Sequence, residues 1–214
     1  MGEGIRLASS TIGVRDGADG PEVLVIERTP DHRFLPGYVA FPGGAVDPAD
    51  GPLAERWFGD ADEAGRAAAV RELAEEVGLA ITARSVAACD PVRPLAEVHD
   101  RPPSVSQLPR IARWIAPERV PVRFDAGFYA VLMDGAPAPD PDGNEAAAAW
   151  WATPGELLAR WESEELLLYW PTHFTLRALA RCRDAAELLA LRLVTREPDE
   201  DELHRLPRSV FFQP

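Results

Sequence analysis

One short stretch, Arg71-Glu72-Leu73-Ala74-Glu75-Glu76-Val77-Gly78-Leu79, constrains this chain more than any other. The spacing predicts a helix from about Ala61 to Val77, with Gly78 where a left-handed residue commonly stops one. At about 100° per residue, Glu72, Glu75 and Glu76 fall within a sector of roughly 100° on one face. Ala67, Val70, Ala74 and Val77 take the opposite side, the face a core buries. Carboxylates this close repel one another, which is costly unless a divalent cation neutralises them. Oxygen-only donors favour Mg²⁺, Mn²⁺ or Ca²⁺ over zinc. A solvated acidic face has the same spacing, and the helix alone does not separate the two readings. Gly65, Ala68 and Ala69 lie on the acidic side and are expected to leave room for a ligand. Arg71 projects beside Glu75 and is expected to orient it by a charge-assisted bond.

Around this helix the chain alternates strands and helices. Strands are predicted over Ile5 to Val14, Val23 to Ile26, Tyr38 to Phe41, Ile81 to Ala88, Phe124 to Met133 and Ala148 to Ala152, the last strand. Turns are expected at Asp16 to Pro21 and at Pro42-Gly43-Gly44, and a long connection from Pro91 to Pro109. Thr153-Pro154-Gly155-Glu156 has the N-cap, the first-turn proline and the returning glutamate of a helix start. Another helical stretch runs from Pro171 to about Leu193, and the last twenty residues are left unassigned. This order predicts an α+β or layered α/β/α class in one domain. The core is expected at about 5–162, with a helical extension and tail at about 163–214.

The motif around Arg71 resembles the end of the Nudix signature, Gly-x(5)-Glu-x(7)-Arg-Glu-U-x-Glu-Glu-x-Gly-U, where U is bulky and apolar. Glu63 stands eight positions before Arg71, as that signature asks, and Phe41-Pro42-Gly43-Gly44 resembles its opening turn. One departure is clear: eighteen residues separate Gly44 from Glu63 instead of five, so thirteen extra residues, Trp57 and Phe58 among them, interrupt the box. Those aromatics, in an insertion at about 45–59, are expected to fold back onto the domain. With Arg28-x(5)-Phe34-Leu35-Pro36-Gly37-Tyr38-Val39-Ala40-Phe41 before it, the interruption resembles the peroxisomal coenzyme A diphosphatase subgroup. Arg123-Phe124-Asp125-x-Gly127-Phe128-Tyr129 and Pro171-Thr172 resemble that subgroup too.

The resemblance implies a mixed sheet between helices and a Mg²⁺- or Mn²⁺-dependent attack of water on a diphosphate. It makes Glu72, Glu75 and Glu76 metal ligands, with the backbone carbonyl of Gly43 or Gly44 as a further donor. Glu145, in the loop before Trp150, is the candidate general base, with a helix glutamate such as Glu75 or Glu76 as the alternative. Arg71 is an orienting residue, and Glu63, about 180° from Glu72 on a continuous helix, reaches the site only from the loop or first turn. Arg28, Arg33 and Phe41 are the candidates for substrate contact, the arginines as phosphate clamps. Trp150, Trp151, Tyr169 and Trp170 either stack on a base or pack in the core. His32, His99, His173 and His204 have no ligand spacing. Coenzyme A or an acyl derivative is the leading substrate; ADP-ribose, dinucleotides, nucleoside triphosphates and a non-catalytic nucleotide-binding module are the alternatives.

Bulk properties narrow the partners. A net charge of −13 repels a long polyanion, yet a small anion can bind where a metal and local arginines reverse the field. No run of eighteen apolar residues offers a membrane span, and the first residues lack a basic segment followed by an apolar one. With Arg at position 6, the myristoylation pattern fails as well. Cys89 and Cys182, far apart and without ligand spacing, are expected as reduced thiols in a cytoplasmic protein. Helices after the last strand are available for contact between two copies.

Overall fold

The computed structural model describes residues 4–32, 34–90, 92–118, 123–206 and 210. Strands β1 (Arg6–Gly17) and β2 (Gly20–Arg28) form a hairpin around the two-residue turn Ala18-Asp19. They pair only from Val14 and Val23 toward the turn. At their other ends β2 pairs with β3 (Tyr38–Ala40) and β1 with β4 (Gly43–Ala45), so the chain crosses from one to the other over Phe41-Pro42. The expected Gly-Gly turn is therefore a short strand at the corner where β1 and β2 part.

Helix α1 (Asp50–Phe58) follows, then a 3-10 turn at Ala61–Glu63 that leads into α2 (Ala64–Val77). Trp57 is 6% exposed, which bears out its folding back. Gly78 ends α2 at φ 65°, the left-handed stop its position predicts. Two short strands, β5 (Leu79–Ile81) and β6 (Val86–Ala88), replace the single strand expected there, since Ala83-Arg84-Ser85 turns the chain back. The long connection carries α3 (Ala96–Asp100).

Strand β7 (Arg110–Ile115) has no counterpart among the sequence expectations: Arg110, Arg113 and Ile115 are exposed, and the run lacks a clean alternation. It pairs with β8 (Phe124–Leu132), and β8 runs parallel to β1. Next come β9 (Ala146–Ala152) against β2 and α4 (Pro154–Glu162), whose Thr153–Glu156 capping box is formed. The last strand is β10 (Leu167–Leu168), parallel to β3, rather than β9. Helix α5 (Trp170–Leu179) stops short of the predicted length. Asp184 starts a separate α6 (Ala185–Ala190) by accepting from Glu187 N. Within the unassigned tail lies α7 (Glu200–Arg205).

The main sheet runs β10-β3-β2-β1-β8-β7, with β4 on β1 and β9 on β2, and mixes parallel and antiparallel pairs. Successive side chains serve opposite faces. Val23, Val25, Phe128 and Ala130 pack with Leu157, Leu176 and Leu188 of α4 to α6. Leu24, Ile26, Tyr129 and Val131 pack instead with Ala54 and Leu73 of α1 and α2. This is the expected sandwich of helices about a mixed sheet.

Candidate active site

Helix α2 lies close on β1. The Ser9 hydroxyl donates to Gly65 O at 2.5 Å and the Thr11 hydroxyl to Ala69 O at 2.7 Å. A Cβ on Gly65 would stand 2.9 Å from the Tyr129 hydroxyl. Gly65, Ala68 and Ala69 thus make room for the sheet and not for a ligand, and Ala68 and Ala69 are fully buried. The helix is also not split into a dry and a wet face, because Glu72 is 9% and Glu76 only 3% exposed.

The corner strand β4 closes on these two glutamates. Gly43, at φ 154°, donates its N–H to Glu76 Oε2 at 2.7 Å, and a Cβ there would sit 2.1 Å from Ser9 O. On Gly44 a Cβ would meet Glu72 Oε1 at 2.6 Å. Only glycines allow this approach. Glu145, exposed in the loop before β9, brings a third carboxylate, and the oxygens of Glu72, Glu76 and Glu145 lie within 4.8 Å of one another. Burial, reinforced by the charge of Glu72, pushes Glu76 up to about 8 against the opposing Gly43 N–H and Arg28. Glu72 is raised by burial too, with Arg71 acting against it. Oε1 of Glu76 is buried without a hydrogen-bond partner. Such an oxygen in an all-carboxylate cluster suits a hard divalent cation.

Glu75 stands outside this trio, although it lines the same cavity as Glu72 and Glu145. Its side chain is 44% exposed and accepts from Arg71 Nη1 at 2.9 Å, the bond expected from the helical projection. Arg71 also holds Glu72 at 2.8 Å and Ala45 O at 3.2 Å. Its fork is closed by Asp50, which accepts from Nε at 2.8 Å and from Nη2 at 2.9 Å while itself fully buried. These bonds, Asp50 first, raise the Arg71 pKa further. Asp50 escaped sequence reasoning: it lies between Gly44 and Glu63, where no spacing singles it out. Glu63 pairs with Arg66 at 2.9 Å and stands outside the carboxylate cluster.

Arg28 reaches the cluster from the end of β2. Its Nη1 contacts the His32 ring at 3.0 to 3.2 Å, and its Nε is buried without a partner. Burial lowers its pKa, while the charges of Glu76, Glu145 and Glu72 act against that. His32 Nε2 lies 3.8 Å from Glu145 Oε2. Arg33 falls outside the described residues. Phe41 is 1% exposed with its ring edge-on to Phe128 at 6.1 Å, so it packs beneath the site. A cavity of about 1400 Å³ joins Glu72, Glu145 and Arg28 to Tyr169 and Trp170. Trp150 and Trp151 lie outside it, under Arg160 and Arg15. None of the four histidines enters the carboxylate cluster, and both cysteines are free. Among the described residues no helix is long and apolar enough to cross a membrane.

The sequence profile of the NUDIX domain matches residues 5–170. A Caenorhabditis elegans protein assigned to the nudix hydrolases is 29% identical over 175 residues, 76% of this chain and 57% of the relative. The chain thus spans a little over half the length of that curated relative. The crystal structure of a NUDIX hydrolase from Alicyclobacillus acidocaldarius is 31% identical with a TM-score of 0.77, covering 91% of this chain and all of that one. A Deinococcus radiodurans structure, 18% identical, matches 82% of this chain and 83% of its own at a TM-score of 0.50, a likeness of fold alone.

Proposed function

The chain belongs to the NUDIX domain family, and from that premise we propose that it is a divalent-metal-dependent hydrolase of nucleoside diphosphate derivatives. Its proposed substrate is coenzyme A or an acyl derivative. The observation that carries the reading is the buried pair Glu72 and Glu76, joined by Glu145 in the wall of a large cavity. Glu72 and Glu76 hold the cation, with Glu75 and a carbonyl of Gly43 or Gly44 as further donors. Bound Mg²⁺, or Mn²⁺ in its place, offsets the diphosphate charge and polarises a phosphoryl oxygen.

The protein's own residues do the rest. Arg28 offers its unpartnered Nε to the phosphates from within the cavity. Glu145, the most exposed of the three clustered carboxylates, takes the proton of the attacking water. The water oxygen forms a bond to phosphorus, the bridging phosphorus–oxygen bond breaks, and the leaving phosphate carries off the electron pair. Arg71, fixed by Asp50, keeps Glu72 and Glu75 in place and is a positioning residue.

The cavity exceeds the roughly 300–1,000 Å³ of ordinary ligand pockets, which supports a nucleotide with a sizeable second group. Phe34, Leu35 and Tyr38, in the stretch that resembles the coenzyme A subgroup, line it. A substrate panel with Mg²⁺ tests the assignment. Release of phosphopantetheine supports it; release of ribose 5-phosphate from ADP-ribose, with coenzyme A untouched, overturns the substrate but keeps the hydrolase. Unchanged turnover in a Glu72→Gln/Glu76→Gln double variant refutes the metal site for every substrate.

A further inference from the structure

The family profile stops at residue 170, yet the cavity wall is completed by Val194, Thr195, Arg196, Glu197 and Pro198. This segment is built into the fold. Leu193 N donates to Ile111 O at 2.7 Å, and the Thr195 hydroxyl donates to the carbonyl of Arg113, so the chain runs along the free edge of β7. Arg196 lies 5.7 Å from the Phe174 ring centre and is held by Glu202 at 2.6 and 2.9 Å. The capping box at Asp199 then sets the start of α7.

Strand register gives the distance from the carboxylates. Gly44, against Glu72, is opposite Ser9; Ser9 is opposite Gly127, and Gly127 opposite Arg113, whose carbonyl takes Thr195. From Gly44 to Arg113 is three strand spacings, about 14 Å along the sheet, with the segment one step further. The floor between carries Ala8, Ala126, Phe124 and Trp114. Val194 is 89% and Ile115 50% exposed, although both are large apolar residues lining the same cavity. The guanidiniums beside them are engaged: Arg113 by Asp125 at 2.7 and 2.5 Å, Arg196 by Glu202. An apolar occupant suits this end better than an anionic one.

We propose that Val194 and Ile115 form a subsite for an extended apolar chain carried by the second group of the substrate. The C-terminal segment, outside the profiled domain, then sets the preference for that group. The placement of the diphosphate at the carboxylates rests on the hydrolase reading above; the subsite itself is read separately by binding.

The test uses the full chain and two synthetic probes, the methyl and n-hexadecyl β-esters of ADP, the second with a chain long enough to span from the carboxylates to Val194. Hydrolysis of either, with water, yields AMP and the alkyl phosphate. With Mg²⁺ the hexadecyl-to-methyl ratio of kcat/KM is expected to be at least about 10 in the wild type, since each buried methylene favours binding. It is expected to fall to about 2 in Val194→Asp and to be retained in Val194→Ile. Calorimetric binding of both esters in metal-free buffer reads the same preference without turnover. Hexadecyl preference in binding with no cleavage of either ester overturns the hydrolase and leaves the subsite standing. Equal affinities, an undetectable hexadecyl complex, or an Asp variant with the wild-type ratio overturns the subsite.

Discussion

Glu72 and Glu76 are placed where carboxylates are expensive, almost out of water and within reach of each other. A side chain that raises the energy of the metal-free fold is kept only for what it binds. Glu76→Gln is therefore expected to raise the melting temperature of the metal-free protein at neutral pH, because it replaces a carboxyl that is ionised when unfolded, and that the fold raises to about 8, with an isosteric neutral amide. The same change is expected to lower kcat/KM by at least about a hundredfold with Mg²⁺. Calorimetry with and without the ion, beside steady-state rates, checks both halves. Gly44 has no side chain to contribute, but its bare Cα is what Glu72 rests against. Gly44→Ala pushes that carboxylate away. Its Mg²⁺ affinity, read by titration of activity, is expected to weaken by about 10- to 100-fold.

At the scale of elements, helix α1 is the least expected part of the site. Its first residue, Asp50, is fully buried and supplies both oxygens to Arg71, which in turn holds Glu72 and Glu75. Helix α1 thus braces the carboxylate helix through Arg71. Asp50→Ala removes two charge-assisted bonds from Arg71, which keeps Glu72 and Glu75, and is expected to cost about 3 kcal/mol in urea unfolding. Activity is expected to fall as well, through KM for the metal more than through folding. An Asp50→Ala protein with wild-type stability and metal response would mean that α1 is merely tolerated.

Over the whole molecule, the two faces of the sheet do different work: α1 and α2 carry the carboxylates, while α4 to α6 cover the cavity side. His173 of α5 is 2% exposed on that second side, against Trp161 at 4.3 Å. Burial, helped by the charge of Arg177 and opposed by Glu202, lowers its pKa to about 4. Unfolded, it titrates near 6.5, so between about 6.5 and 4 the unfolded chain binds a proton the fold excludes. Stability from this residue is complete above the unfolded value and is lost as pH falls toward the folded one, at up to about 1.4 kcal/mol per pH unit. Urea midpoints at pH 7 and 4.5 are expected to differ, and His173→Phe is expected to narrow the gap. An unchanged gap assigns the acid sensitivity to another group.

The helix with Glu72, Glu75 and Glu76, its stop at Gly78, the Gly43-Gly44 corner and the Thr153 cap were all legible in the chain, because each depends on residues a few positions apart. Local spacing also placed Arg71 beside Glu75. It could not show that Glu145 completes the cluster in which Glu75 takes no part. Nor could it show that Ser9, Thr11 and Tyr129 occupy the space left by Gly65, Ala68 and Ala69. Strand β7, the break between α5 and α6, and the role of Asp50 were hidden for the same reason. What the sequence determined by itself was the family's carboxylate helix and several of the strands and helices around it. What only the tertiary structure decided was which carboxylates meet, what holds them, and which distant segment closes the cavity, since burial and contact arise between residues that only the sheet brings together.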